Sequence, residues 1–231
     1  CLRRHRHRRG HSLGGRPLQP SQQGGARSQP LLVGPTQSAI RPEVLAIGAS
    51  TGGIHATGQL LRGLPARIGI PVIITQHLPV EFSEPYAKQL RELSGREVLL
   101  AADGQSLQPD CIHLAPGDGH LTVVRRGDRA VIRLDRNAAS TGCMPSVDPM
   151  FASLAAVFGA NVLGVVLTGM GRDGTEGAHA LVEAGGNVLV QDEASSAVWG
   201  MPGSIARAGL AAAALPPCEL ALRIAAALGR A

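Results

Sequence analysis

Aromatic side chains are almost absent from this chain: three Phe, one Trp and one Tyr in 231 residues, 2% in all. A core of this size must therefore be built from Val, Leu, Ile and Ala. Cysteine is equally sparse. Cys1, Cys111, Cys143 and Cys218 stand far apart with no CxxC pair, which fits free thiols in a reducing compartment better than a disulfide frame or a zinc site. Acidic residues are missing altogether from residues 1–42, where eight arginines stand (Arg3, Arg4, Arg6, Arg8, Arg9, Arg16, Arg27 and Arg41). Taking those eight from the formal charge of +5 leaves the rest at −3, so the body is mildly acidic and nothing there resembles a phosphate-binding surface for nucleic acid. No apolar stretch follows the basic N-terminus, so no signal peptide is expected. The uncharged run Met150 to Gly171 is long enough to cross a bilayer, but its glycines and Asn161 divide it into a helical half and a Val-rich half. A buried helix followed by a buried strand is the expectation, with no membrane insertion and a cytoplasmic setting.

What is present divides the chain in two. Residues 1–42, rich in Arg, Gly, Gln, Ser and Pro, have too little apolar periodicity to pack and are predicted to be a disordered basic tail or linker, with His5, His7 and His11 as part of a solvated run. From residue 43 to 231 a single domain is expected. Val44-Leu45-Ala46-Ile47 and Pro71-Val72-Ile73-Ile74-Thr75 read as strands buried on both faces. Helices are predicted from the first glycine turn to about Arg62 and over Glu81 to Leu93. Further helix–strand alternation follows at Val147–Phe158, Val162–Leu167, Thr175–Ala184 and Asn187–Val190. Strands alternating with helices imply a doubly wound α/β fold, a mostly parallel sheet flanked by helices. Residues 97–135 break the rhythm with short strand-like pieces and an Arg126-Gly127-Asp128 turn, so a small antiparallel β insert is expected there.

Three strand ends carry candidate chemistry. Ser50 lies in Gly48-Ala49-Ser50-Thr51-Gly52-Gly53, directly after the first buried strand, where a sharp turn would present its hydroxyl to the crevice of a parallel sheet. A phosphate cradle is the rival reading of such a turn. The dinucleotide version of it lacks both GxGxxG and an acid ending the second strand. His77 follows the second strand, at the same sheet edge if the two strands are parallel neighbours, where a general base for Ser50 would stand. Asp173, in Leu167-Thr168-Gly169-Met170-Gly171-Arg172-Asp173-Gly174, could orient that imidazole or could simply cap the helix that follows. Cys143 is expected to be a passive thiol bordering the crevice, and His55, His113, His120 and His179 surface or loop histidines. Trp199 is expected to pack near Gly200-Met201-Pro202. No metal and no cofactor is expected.

Taken in order, Ile47–Gly53, Ile73–Pro79, Leu114–Gly117, Pro145–Asp148, Leu167–Gly174 and Gln191–Ser195 resemble the catalytic domain of chemotaxis protein-glutamate methylesterases, across roughly Glu43 to Leu228. That resemblance implies a Ser50-His77-Asp173 triad, with Thr51 and the backbone around Met170 contributing to an oxyanion site. It implies hydrolysis of glutamate γ-methyl esters on the cytoplasmic helices of chemoreceptors, with deamidation of receptor glutamines as a related activity. A receiver domain or a chemotaxis histidine kinase is the implied regulatory partner. Full-length members carry a receiver before the catalytic domain, whereas here only the basic tail precedes it, and Met144 stands where members often have Arg. The alternative is a non-catalytic docking module of a chemosensory pathway that keeps the fold.

Overall fold

A computed structural model of the chain describes residues 41–229; all but the last two positions of the expected tail lie outside that range. The first element, β1 (Val44–Ala49), is buried along its whole length. Its alternate side chains enter two different cores: Leu45, Ile47 and Ala49 pack on one side, Val44 and Ala46 on the other. A strand whose two faces are both covered loses the polar/apolar alternation of a surface strand, and for this reason the run reads as continuously apolar.

The remaining strands are β2 (Val72–Gln76), β3 (Val98–Leu100), β4 (Ile112–Leu114), β5 (His120–Arg126), β6 (Arg129–Asp135), β7 (Val162–Val166), β8 (Asn187–Gln191) and β9 (Ala213–Leu215). Seven of them form one parallel sheet in the order β3-β4-β2-β1-β7-β8-β9. The helices are α1 (Gly53–Gly63), α2 (Ser83–Ser94), α3 (Val147–Phe158), α4 (Thr175–Glu183), α5 (Met201–Arg207) and α6 (Pro217–Ala227). α1 packs against α2 and α6, over the core that contains Leu60, Leu90 and Ile224. α3 packs against α4 and the β5–β6 pair, over a core centred on Phe151. The expected doubly wound α/β architecture is the observed one, and the uncharged run is indeed a helix followed by a strand. Among the described residues, no helix is long and apolar enough to cross a membrane.

The expected insert is smaller than the sequence suggested. Among the described strands β5 and β6 pair antiparallel, through a turn whose Gly127 has φ 57, in the left-handed region that favours glycine, and a single antiparallel bridge joins Ser106 to Val131. β3 and β4 instead extend the parallel sheet beyond β2. Three-residue strands show their period but not their direction, which is set by the connections around them.

Candidate active site

Ser50, His77 and the loop holding Asp173 leave the C-terminal ends of three adjacent strands, β1, β2 and β7. β1 is the point where the chain reverses its direction of winding, with β2 on one side and β7 on the other. A crevice opens there in any doubly wound sheet. The register is tight at the edge: Ala49 sits opposite Gln76, and the His77 N–H donates to the Ala49 carbonyl at 3.0 Å.

The turn after β1 is held from every side. Ser50 donates its N–H to the Thr168 carbonyl at 3.0 Å. Its own carbonyl accepts from Gly53 N–H and from the Gln76 side-chain amide, both at 2.8 Å. Gly52 takes φ +78, and a Cβ there would lie 2.7 Å from that of Ala197. Gly169 is confined by space rather than by angle: a Cβ would lie 2.4 Å from Met201 Sδ and 2.8 Å from Ser50 Cβ. The β7–α4 loop therefore presses its backbone against Ser50. Gln191, 1% exposed at the end of β8, secures that loop by accepting the Thr168 N–H at 2.8 Å, while Trp199 Nε1 donates to the Gln191 carbonyl at 2.9 Å.

Asp173 is 1% exposed and accepts five hydrogen bonds. His77 Nε2 lies 2.6 Å from Oδ2, which also accepts the Val147 N–H at 2.7 Å. Oδ1 accepts Ser146 Oγ at 2.6 Å and the N–H groups of Gly174 and Asp148 at 3.0 and 3.2 Å. Val147 and Asp148 open α3, so Asp173 caps that helix from a distant loop. This refines the N-cap alternative: the helix chiefly capped is α3, not the one that follows. Asp148 returns the favour through Oδ1, accepting the Gly177 N–H in the first turn of α4 at 2.8 Å. Each helix N-terminus thus supplies the other with an acid.

The two carboxyls are driven apart electrostatically. Burial would raise Asp173, but the bonds from His77, Ser146 and Val147, with the His77 charge, bring it down to about 2. Burial pushes Asp148 up to about 6 against its bond from Gly177, and the Asp173 charge adds to the rise. Asp173 is the anion of the pair and Asp148 the later to ionise.

A cleft of about 490 Å³ is lined by Ser50, Thr51, Gly52, Gln76, His77 and Leu78, among others. The bond to Asp173 assigns the ring proton of His77 to Nε2, leaving the Nδ1 lone pair free for the cleft. Ser50 Oγ makes no hydrogen bond to the imidazole in this structure; such contacts often tighten only when substrate is bound. Thr51 lines the cleft and its carbonyl accepts Thr168 Oγ1 at 2.9 Å. Met170, 68% exposed, follows Gly169 on the loop that abuts Ser50.

Several residues stand elsewhere than expected. His113 and His120 are buried in strands, not on the surface. Burial lowers His113 to about 4, and its Nε2 accepts the Gln108 N–H. His120 Nδ1 accepts the Ser146 N–H at 2.9 Å and Nε2 donates to the Asn137 carbonyl, so it positions the serine that bonds Asp173. Cys143 borders the site closely: its Sγ, His77 and Asp173 offer ligand atoms all within 4.8 Å of one another. Burial, then the charges of Asp173 and Asp148, raise its thiol against a bond to Thr141.

Fold and site together define a doubly wound α/β domain with a serine, a histidine and a buried aspartate at one sheet edge. The family model described as CheB methylesterase matches residues 45–224, and the chain belongs to that family. It is 45% identical over 181 residues to protein-glutamate methylesterase/protein-glutamine glutaminase 1 of Paramagnetospirillum magneticum, covering 78% of this chain and 48% of that protein. The corresponding protein of Maricaulis maris is 43% identical over 178 residues, covering 77% of this chain and 44% of its own. The chain thus spans about half the length of the curated relatives it matches. The crystal structure of the Thermotoga maritima CheB methylesterase catalytic domain superposes with a TM-score of 0.77 at 31% identity, covering 79% of this chain and 97% of that one.

Proposed function

We propose that this chain hydrolyses the γ-methyl esters of glutamates on the cytoplasmic helices of chemoreceptors, releasing methanol, and that residues 43–231 form the catalytic domain. The observation that carries the proposal is the His77–Asp173 hydrogen bond of 2.6 Å beside the cleft that Ser50 also lines. Ser50 Oγ attacks the ester carbonyl carbon while His77 Nδ1 takes the hydroxyl proton. N–H groups around Thr51 and Met170 receive the oxyanion. Collapse breaks the bond to the methoxy oxygen, which leaves as methanol with the proton from His77. Water, deprotonated by the same nitrogen, then cleaves the acyl-enzyme and returns a glutamate carboxylate. Asp173 keeps the ring proton on Nε2 throughout and stabilises the imidazolium. Deamidation of receptor glutamines is the same acyl chemistry with ammonia leaving. No cofactor is needed, the setting is cytoplasmic, and control by a receiver domain or histidine kinase is part of the same reading.

The test is methanol release from methylated chemoreceptor membranes by the chain and by its Ser50→Ala variant. Release that vanishes in the variant supports the reaction and the nucleophile together. Equal release by both would remove Ser50 from the mechanism. Release by neither, with both proteins folded, would favour the docking module.

A further inference from the structure

Cys143 has no part in the reaction above, yet the loop between β6 and α3 carries its sulfur to the reacting imidazole. No sequence spacing announces this, because the three partners come from separate loops. A thiolate, an imidazole and a carboxylate make a donor set suited to tetrahedral zinc. Bonds of about 2.0–2.3 Å set neighbouring donors about 3.3–3.8 Å apart. With all three atoms within 4.8 Å of one another, Cys143 needs to close by only about 1 Å, while His77 Nε2 and Asp173 Oδ2, now 2.6 Å apart, open by about as much. His77 lines the cleft and Cys143 is half-buried, so an ion has a way in and water can fill the fourth position. The surroundings favour a cation: Asp173 is an anion, and the neighbouring Asp148 has its Oδ2 buried without a hydrogen-bond partner.

We infer that His77, Cys143 and Asp173 form a binding site for a thiophilic divalent cation such as Zn²⁺, which reversibly blocks the cleft's chemistry. On binding, the Cys143 thiol loses its proton to solvent and its sulfur bonds the metal. The block follows from the nitrogen that faces Asp173, which is Nε2. An ion on Nε2 replaces the bond to Asp173 and sends the ring proton to Nδ1. Hard ions such as Mg²⁺, which seek oxygen donors, are not expected to compete.

Cadmium tests this directly, since a thiolate–Cd²⁺ bond gives an ultraviolet charge-transfer band. The full chain, Cys143→Ser and His77→Ala are titrated with Cd²⁺ and, by competition, with Zn²⁺, after circular dichroism and melting show that all three fold. The unsubstituted chain should bind one equivalent more than Cys143→Ser, with a band that this variant lacks although Cys1, Cys111 and Cys218 remain. His77→Ala should weaken that site by at least about tenfold. Histidines near the N-terminus give a background common to all three proteins. Unchanged stoichiometry and band in Cys143→Ser, or unchanged affinity in His77→Ala, would overturn the assignment. Binding is read without substrate, so failure here is distinct from failure of the proposed ester hydrolysis.

Discussion

Replacing Asp173 by Asn should injure stability and chemistry at once, by amounts that follow from its five bonds. A carboxylate offers two oxygens, and here both are occupied by donors alone. An amide keeps one. If Oδ1 stays oxygen, the new NH₂ faces the Val147 N–H and His77 Nε2–H, donor against donor in a site 1% exposed. A buried donor left without an acceptor costs roughly 1–3 kcal/mol. The fall of the carboxyl from 3.8 to about 2 is a second measure of those same contacts, on the order of 2 kcal/mol. A loss of about 2–3 kcal/mol at pH 7 is therefore expected, a large share of the roughly 5–15 kcal/mol of a typical domain. The sign with pH is fixed: a depressed carboxyl stabilises above its unfolded value, near 4, and its contribution disappears as pH falls through about 2. Urea unfolding followed by circular dichroism should show the full gap at pH 7 and pH 5, with roughly half of the ionic part left at pH 3. Activity should fall by about 10³–10⁴ because the ring proton is no longer held on Nε2. A variant within 0.5 kcal/mol of the parent, as an order-of-magnitude bound on experimental error, would refute the capping argument.

Asp148→Asn should act in the opposite direction. Its raised carboxyl favours the folded state only while protonated, so that contribution is present below about 4 and lost as pH rises through about 6. An amide keeps the bond to the Gly177 N–H and carries no charge toward Asp173, so the variant should gain about 1–3 kcal/mol at pH 8 and lose that advantage by pH 4, in the same unfolding assay. Gly169→Ala should cost about 1–3 kcal/mol by overpacking and should reduce kcat by more than stability alone explains, because the new methyl displaces either Met201 or Ser50. Methanol release at saturating substrate by folded enzyme, unchanged from the parent, would count against that placement.

The strands at the sheet's centre were legible because burial on both faces writes itself as unbroken apolar runs, as in β1 and β7. Two such runs, β1 and β2, each followed directly by a candidate side chain, were enough to bring Ser50 and His77 to one edge. β9 left no comparable mark: Ala213-Ala214-Leu215 is a strand through its pairing with β8, and two alanines and a leucine carry little β preference of their own. The direction of β3 and β4 was likewise invisible. At the site, Ser50, His77 and Asp173 could be named as candidates, but not the groups that hold them. Gln76, His120, Ser146 and Gln191 act on partners that are remote in sequence, and nothing periodic connects them. Cys143 is the extreme case, since only the closed loop before α3 brings its sulfur to His77.

The exchange of acids between α3 and α4 has a consequence for reading relatives of this chain. Asp173 fastens one helix and one loop, so a descendant that had abandoned catalysis would still be under pressure to keep it. Its presence in a sequence is then poor testimony to activity. Ser50, whose hydroxyl bonds nothing in the resting site, is under no such folding constraint. In a lineage drifting toward a purely structural role the hydroxyl should vanish first, and the aspartate should outlast it.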